Sequence, residues 1–193
     1  MGKRKYEIRP DKFRTDFFGK LYLTRMQRLT LLRWVLYTVI LVILSLIQDV
    51  ILCKADFFGT TTDLVPCAIM LICVQLGGER SCIFALVAAL MYKFSGTAPG
   101  YYVVGLIPVL GVTAAVVRQG NLRRSFSSTM LCACTATMLY EIGIFAFGML
   151  FQNTILSRGI SFLITGGLSL LSYPILYPII KAIDKIGDRT WKD

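Results

Sequence analysis

The feature that most constrains this chain is a long apolar run from Ser127 to Phe151 that contains one carboxylate, Glu141, near its middle. A helix of about 20 residues crosses the hydrocarbon core of a membrane, and a charge at its centre costs roughly 2.5 to 3.5 kcal/mol on insertion scales. The carboxylate is therefore expected to face protein. Small and polar residues recur with it at every fourth position, namely Thr129, Ala133 and Thr137. This stripe predicts a helix face turned toward the interior of a bundle.

Five further apolar runs predict an all-α integral membrane protein of about six transmembrane helices. The six predicted segments are 34–52, 64–76, 82–92, 101–117, 127–151 and 160–183. The second and third are short, so each either borrows polar ends to span or forms part of a re-entrant hairpin; two short spans are the favoured interpretation. Pro174 and Pro178 predict a kink in the final third of the last segment.

Three regions are predicted from these boundaries. They are a basic cytoplasmic segment over 1–33, a six-helix membrane domain over 34–185, and a short cytoplasmic tail over 186–193. The orientation follows from the basic residues: if both termini are cytoplasmic, all but three of the 21 Lys and Arg residues lie inside. The three exceptions are Lys54, Lys93 and Arg158. This bias is typical of the positive-inside rule, so the chain is predicted to be a multi-pass membrane protein with both termini in the cytoplasm.

The amino-terminal segment carries ten of those basic residues, and aromatic and aliphatic residues alternate with them at roughly helical spacing. Such a pattern favours an interfacial helix on anionic lipid headgroups. The candidate membrane-surface residues are Lys3, Arg4, Lys5, Lys20, Arg25 and Arg28. Because topology accounts for most of the net charge of +10, nucleic-acid binding is not predicted.

The chain contains no histidine, which excludes the common Ser/His/Asp and Cys/His relays and the histidine-based zinc helices. Five of the six cysteines fall inside apolar runs, where they are expected to behave as small hydrophobic residues. The loops are short and leave no room for a separate catalytic domain. No enzymatic activity, cofactor or metal site is therefore predicted.

The candidate polar core consists of Glu141, Tyr140, Thr137 and Asp49. Glu141 is interpreted as an interior anchor that accepts hydrogen bonds from hydroxyl groups of neighbouring helices, with partner-helix or ligand binding as the alternative. Asp49 shares a helical face with Thr38 and Ser45, and a rim ion pair between Asp49 and Lys93 is a further expectation.

Several short motifs, in this order and spacing, resemble the MreD family of rod shape-determining membrane proteins. They are Asp63 to Pro66, Gly77 to Arg80, Leu86 to Leu90, Phe94 to Gly96, Gly100, Leu139 to Glu141, and the closing Tyr173 to Pro178. The chain departs from the family pattern at Lys93, where an acidic residue is usual, and at Ala85 and Ala89, where glycines are usual.

The resemblance implies a non-enzymatic scaffold of the bacterial cell-elongation machinery. Such a scaffold binds MreC, a single-span protein with a large external domain, and helps to link MreB filaments to the peptidoglycan polymerase RodA and its class B transpeptidase. The alternative is a vitamin-binding substrate subunit of an energy-coupling-factor transporter, a class of similar size with six helices. The first predicted segment lacks the Ala-x-x-x-Ala face through which such subunits usually dock.

Overall fold

The described part of the chain contains seven helices and no strand. A computed structural model of the protein describes residues 25–51, 62–96, 98–121, 125–152, 155 and 158–186. Its helices are α1 (Arg25–Val50), α2 (Leu64–Leu76), α3 (Gly78–Phe94), α4 (Val103–Asn121), α5 (Phe126–Gln152), α6 (Gly159–Leu170) and α7 (Tyr173–Asp184). The predicted basic segment over 1–33 and the predicted tail over 186–193 lie mostly outside these residues. Within them, α1 begins nine residues before the predicted membrane domain.

Three of the described helices, α1, α4 and α5, are long and apolar enough to cross a membrane. The count becomes four if α6 and α7, which meet at a bend of 49°, form one broken span. Apolar helices of this length indicate a membrane-embedded protein. The prediction of six spans is thus supported only in its coarser form, because α2 has 13 residues and reaches about 20 Å at 1.5 Å per residue.

Helix α2 is the centre of the bundle rather than a helix on its periphery. Every residue from Val65 to Val74 is buried, and α2 contacts all six of the other helices. A helix that is apolar on every side is stable only where it is surrounded, because it has no face suited to water. Pro66 lies in the first turn, where a missing N–H breaks no intrahelical hydrogen bond.

A tight turn joins α2 to α3. Gly77 adopts φ +87° and ψ 168°, a conformation that is essentially restricted to glycine. The end of α4 holds this turn: the Gly78 N–H donates to Oε1 of Gln119 at 3.2 Å, and the Arg118 guanidinium donates to the Val74 carbonyl. Glu79 lies in the first turn of α3, where a negative charge complements the helix dipole.

The last predicted segment is broken near its middle, at Leu171 and Ser172, and not in its final third. Pro174 has no N–H to donate to the Leu170 carbonyl and its ring would clash with that carbonyl in a continuous helix, so α6 ends at Leu170 and a new helix begins at Tyr173. The proline then occupies the first turn of α7, where it is well tolerated. Pro178 lies inside α7 without ending it.

An ion pair joins the beginning of α1 to the end of α7. The Arg33 guanidinium contacts the Asp184 carboxylate, and Arg33 also donates to the Tyr37 hydroxyl at 3.3 Å. These contacts place the beginning of α1 and the end of α7 at the same end of the described bundle.

Candidate functional site

The small and polar stripe of α5 is buried along its whole length, as its spacing predicts. Thr129, Ala133, Thr137 and Glu141 are all buried. The hydroxyls of Thr129 and Thr137 donate to backbone carbonyls four residues earlier, at 3.1 Å to Ser125 and 3.0 Å to Ala133. Threonine thus satisfies its hydroxyl locally while presenting a small side chain to the neighbouring helices.

Glu141 lies against α6 at a point where α6 has no side chain. It is 1% exposed, and a Cβ atom added at Gly166 would lie 3.2 Å from its Cγ. The glycine therefore makes room for the acid. Its Oε1 atom has no hydrogen-bond partner in the described part of the chain, so the predicted bond from a neighbouring hydroxyl is not found at this atom.

Tyr140, the neighbour of Glu141, is also buried and points toward α3. Its hydroxyl lies near that of Tyr92, which also lies near Gln48, but neither tyrosine hydroxyl has a hydrogen-bond partner among the described residues. Asp63 acts electrostatically on both tyrosines and on Glu141. Residues from α1, α3, α5 and the start of α2 therefore meet in one buried region.

A hydrogen-bond network completes this region. Gln48 donates to Oδ1 of Asp63 at 3.3 Å and accepts from the Val65 N–H at 3.0 Å, while the Asp63 N–H donates to Oγ of Ser169 at 2.9 Å. The network ties α1 and α6 to the beginning of α2. We call the whole region the polar core; its members are Gln48, Asp63, Tyr92, Tyr140, Glu141 and Ser169.

Four members of the polar core are not predicted as site residues, namely Gln48, Asp63, Tyr92 and Ser169; Asp63 occurs only in a motif of the family resemblance. A signal for Gln48 exists in the sequence, because Tyr37, Leu41, Leu44 and Gln48 share one face of α1 by steps of four, three and four. Thr38, by contrast, is exposed and donates to the Trp34 carbonyl of its own helix. The polar seam expected from Thr38 to Asp49 is therefore not the buried face.

Asp49 lies apart from Glu141, on the neighbouring face of α1. It is half-buried in a groove of about 310 Å³ between α1 and α3, which we call the α1–α3 groove, and Ser45 and Tyr92 also line it. The described structure contains no ion pair between Asp49 and Lys93. Lys93 instead places its Nζ 4.3 Å from the centre of the Tyr101 ring, a cation–π contact.

Thr137 links α5 to α7 as well as to its own helix. Its hydroxyl contacts that of Tyr173, and the Tyr173 hydroxyl also donates to the Ala133 carbonyl at 3.1 Å. Cys67 and Cys73 are buried and direct their thiols at backbone carbonyls, whereas Cys82 is exposed on α3. Within the described ranges, no three His, Cys, Asp or Glu residues group closely enough to hold a metal ion.

The predicted membrane-surface residues Lys3, Arg4, Lys5 and Lys20 lie outside the described residues. Arg25 begins α1, and Arg28 is exposed in the same helix.

An apolar groove of about 410 Å³ lies between α5 and α6 on the outside of the bundle. We call it the α5–α6 groove. Its lining residues are Glu141, Ile142, Phe145, Gly159, Ile160, Phe162 and Leu163. Glu141 is the single ionisable residue of this lining, so the buried acid of the polar core also borders the outer surface of the bundle.

The chain matches no family model, and no curated protein or solved structure is significantly similar to it.

Proposed function

We propose that this protein is a non-enzymatic scaffold of the bacterial cell-elongation machinery, as its resemblance to the MreD family implies. Its transmembrane surface binds an MreC-like single-span partner. Through that partner it helps to organise MreB filaments, RodA and a class B transpeptidase during peptidoglycan synthesis. It works in the bacterial cell membrane with both termini in the cytoplasm.

One observation carries the proposal. Asp63 belongs to the first motif of the resemblance and Glu141 to a motif of a distant helix, yet both contact α6 within one turn of each other: the Asp63 N–H donates to Oγ of Ser169 at 2.9 Å, and Glu141 packs on Gly166. Motifs that are far apart in the sequence thus contribute to a single buried unit. A shared structural unit is what is expected if the motifs specify one fold and one interaction surface.

The remaining polar contacts also suit a scaffold. Gln48, Ser169, Thr137 and Tyr173 join helices to one another or to backbone groups, which fixes the relative positions of the helices. Polar groups that bond across helices in this way contribute roughly 0.6 to 2 kcal/mol each in membranes. They would hold the lipid-facing surfaces in a constant shape for a partner helix to recognise.

The proposal is tested by co-expression of the full chain with an MreC-like protein in bacterial membranes, followed by cross-linking and purification through a tag on this chain. We expect the MreC-like protein to co-purify, and an unrelated single-span protein expressed at the same level to be absent. Absence of the MreC-like protein from cross-linked material would contradict the proposal.

The transporter-subunit alternative has one feature in its favour, the α1–α3 groove. Asp49 and the hydroxyl-bearing Tyr92 border its apolar walls, and about 310 Å³ is enough volume for a small organic ligand. Mass spectrometry of the purified protein tests this alternative. A vitamin bound in equimolar amount, or an energising subunit recovered in place of the MreC-like protein, would favour it.

A further inference from the structure

The α5–α6 groove combines two properties that rarely occur together on a lipid-facing surface. Its walls are apolar, with Ile142 and Leu163 exposed on either side, but its lining includes the carboxylate side chain of Glu141. Ionisable groups inside a membrane are costly, so they normally pair with a group of opposite charge or with hydrogen-bond donors.

Within the described chain, Glu141 has no such pair. The charge that acts on it is that of Asp63, which has the same sign. Several described basic side chains near the bundle have other contacts: Arg33 with Asp184, Lys93 with the Tyr101 ring, and Lys181 with the Tyr177 ring at 5.2 Å. Oε1 of Glu141 has no hydrogen-bond partner among the described residues. The group that would balance the Glu141 carboxylate is therefore a positively charged hydrogen-bond donor.

The depth of Glu141 selects the kind of molecule that supplies this donor. The residue lies near the middle of α5, roughly 16 Å from the end of the helix at 1.5 Å per residue. A lipid places its charged headgroup at the membrane surface and only its acyl chains at this depth, so it offers nothing to a carboxylate there. A transmembrane helix can carry a basic side chain at mid-depth.

We propose that the α5–α6 groove is the docking site for a transmembrane helix of a partner protein, which inserts a lysine or arginine opposite Glu141. A volume of about 410 Å³ accommodates two or three large side chains. This number is expected where a ridge of side chains on one helix packs into the groove between two other helices. Gly159 in the wall packs against Phe145 and Gly166 packs on Glu141, so the two glycines bring α5 and α6 close together beneath the groove. Oε1 is buried in the free chain, so binding requires the Glu141 side chain to rotate and present its carboxylate to the donor. The inference rests on the proposed function, because it assigns the partner-binding surface of the scaffold.

The experiment uses the full chain reconstituted in lipid vesicles and a synthetic leucine-alanine transmembrane helix as the probe. One form of the probe carries a central lysine and the other a central methionine, which has similar length without charge. Energy transfer between labels on the protein and on the probe reports association. We expect the lysine probe to bind on the order of tenfold more tightly than the methionine probe, the range of a hydrogen bond between charged groups.

Three variants test where the probe binds. Glu141→Leu is expected to abolish the preference for lysine. Leu163→Trp fills the α5–α6 groove and is expected to weaken the lysine probe at least tenfold, whereas Val109→Trp on α4 is expected to leave it unchanged. Leu163 and Val109 are 55% and 61% exposed, so the two tryptophan variants change lipid-facing sites of similar accessibility.

Equal binding of the two probes to the wild-type chain, or no binding of either, would overturn the inference. So would equal effects of Leu163→Trp and Val109→Trp. Co-purification of the MreC-like protein, measured with the same variants, separates this result from the proposed function. If the MreC-like protein is retained by Leu163→Trp, the scaffold remains and the groove assignment fails; if the wild-type chain binds the lysine probe but no MreC-like protein, the reverse holds.

Discussion

Gly166 of α6 packs directly on Glu141 of α5, so that a Cβ atom at Gly166 would lie 3.2 Å from Cγ of the acid and 3.2 Å from Sδ of Met138. The next residue, Gly167, has nothing within 4 Å of the same added atom. Two adjacent glycines of one helix therefore have different roles. Gly166 allows α5 and α6 to approach each other, whereas no neighbouring residue requires a glycine at position 167.

This difference predicts opposite effects of the same substitution. Gly166→Ala is expected to lower the free energy of unfolding by about 1 kcal/mol, because Glu141 and Met138 must both move to admit the methyl group. Gly167→Ala is expected to raise it by about 0.5 kcal/mol, because alanine favours a helix more than glycine does. Denaturant unfolding of the purified variants in detergent measures both values. A loss of stability in both, or in neither, would be inconsistent with the packing described.

The bridge made by Gln48 yields a second prediction. Gln48→Leu removes the donor to Asp63 and the acceptor of the buried Val65 N–H, which leaves two polar groups without their partner. The free energy of unfolding should fall by roughly 2 kcal/mol, within the range for buried groups that lose a hydrogen bond. Thr38→Val is the control, since the Thr38 side chain is exposed and bonds only to its own helix. A change below about 0.5 kcal/mol is expected there, and equal losses for the two variants would argue against the bridge.

The polar stripe of α5 could be predicted from the sequence because it depends on one helix alone. A long uninterrupted helix keeps its period, so residues four apart stay on one face whatever surrounds them. Glu141 then marks which face is interior, since a carboxylate cannot lie in lipid without a large cost.

The central position of α2 could not be predicted in the same way. An apolar run such as Leu64 to Leu76 fits a short span and a fully buried helix equally well, and only the arrangement of the other six helices decides between them. The same holds for Ser169 and for the contacts of Gln48, although the spacing from Tyr37 does mark Gln48 as buried. Their partners are Asp63 and backbone groups at the start of α2, which local sequence patterns do not reveal. The position of the break at Leu171 and Ser172 does not follow from the sequence, because Pro174 lies in the first turn of a helix and Pro178 in the interior of one, and the two prolines look alike in the chain.

A third prediction concerns the turn between α2 and α3. Gly77→Ala forces a side chain into φ +87° and ψ 168°, a region nearly closed to other residues, and directs its methyl group at the Gln119 side chain. We expect a loss of about 2 kcal/mol in the free energy of unfolding. Gly96→Ala shares a positive φ of +86° but meets no neighbour, so a loss of about 1 kcal/mol is expected. Thermal unfolding in one detergent compares the two. A larger loss at Gly96 would contradict the assigned turn.

The contact between α5 and α7 gives a fourth prediction. Tyr173→Phe keeps the buried ring but removes the hydroxyl that contacts Thr137 and donates to the Ala133 carbonyl. A loss of about 1 kcal/mol is expected for each such bond. Tyr177→Phe is a suitable control, because the edge contact of its ring with Phe126 survives the change. Should Tyr173→Phe be as stable as the wild-type chain, the hydroxyl would not hold α7 in place.

The last prediction concerns the acid itself and reverses an expectation drawn from the sequence. If Glu141 were an anchor that accepts hydrogen bonds from neighbouring hydroxyls, Glu141→Gln would be tolerated far better than Glu141→Leu. The structure leaves Oε1 without a partner in the described residues and places a second acid, Asp63, within its electrostatic reach. Replacement of an unpaired buried ionisable group by an apolar one of similar size is neutral or stabilising, because the desolvation penalty disappears. We therefore expect the free energy of unfolding of Glu141→Leu to equal or exceed that of both the wild-type chain and Glu141→Gln.

Partner binding should show the opposite order, since the glutamine side chain would keep a polar group for a donor and the leucine side chain would not. Denaturant unfolding and co-purification of the MreC-like protein, measured on the same preparations, decide the matter. If the Leu variant is less stable than the Gln variant by more than about 1 kcal/mol, Glu141 is an internal anchor after all. If the Leu variant is stable but fails to bind its partner, the acid is part of the interaction surface.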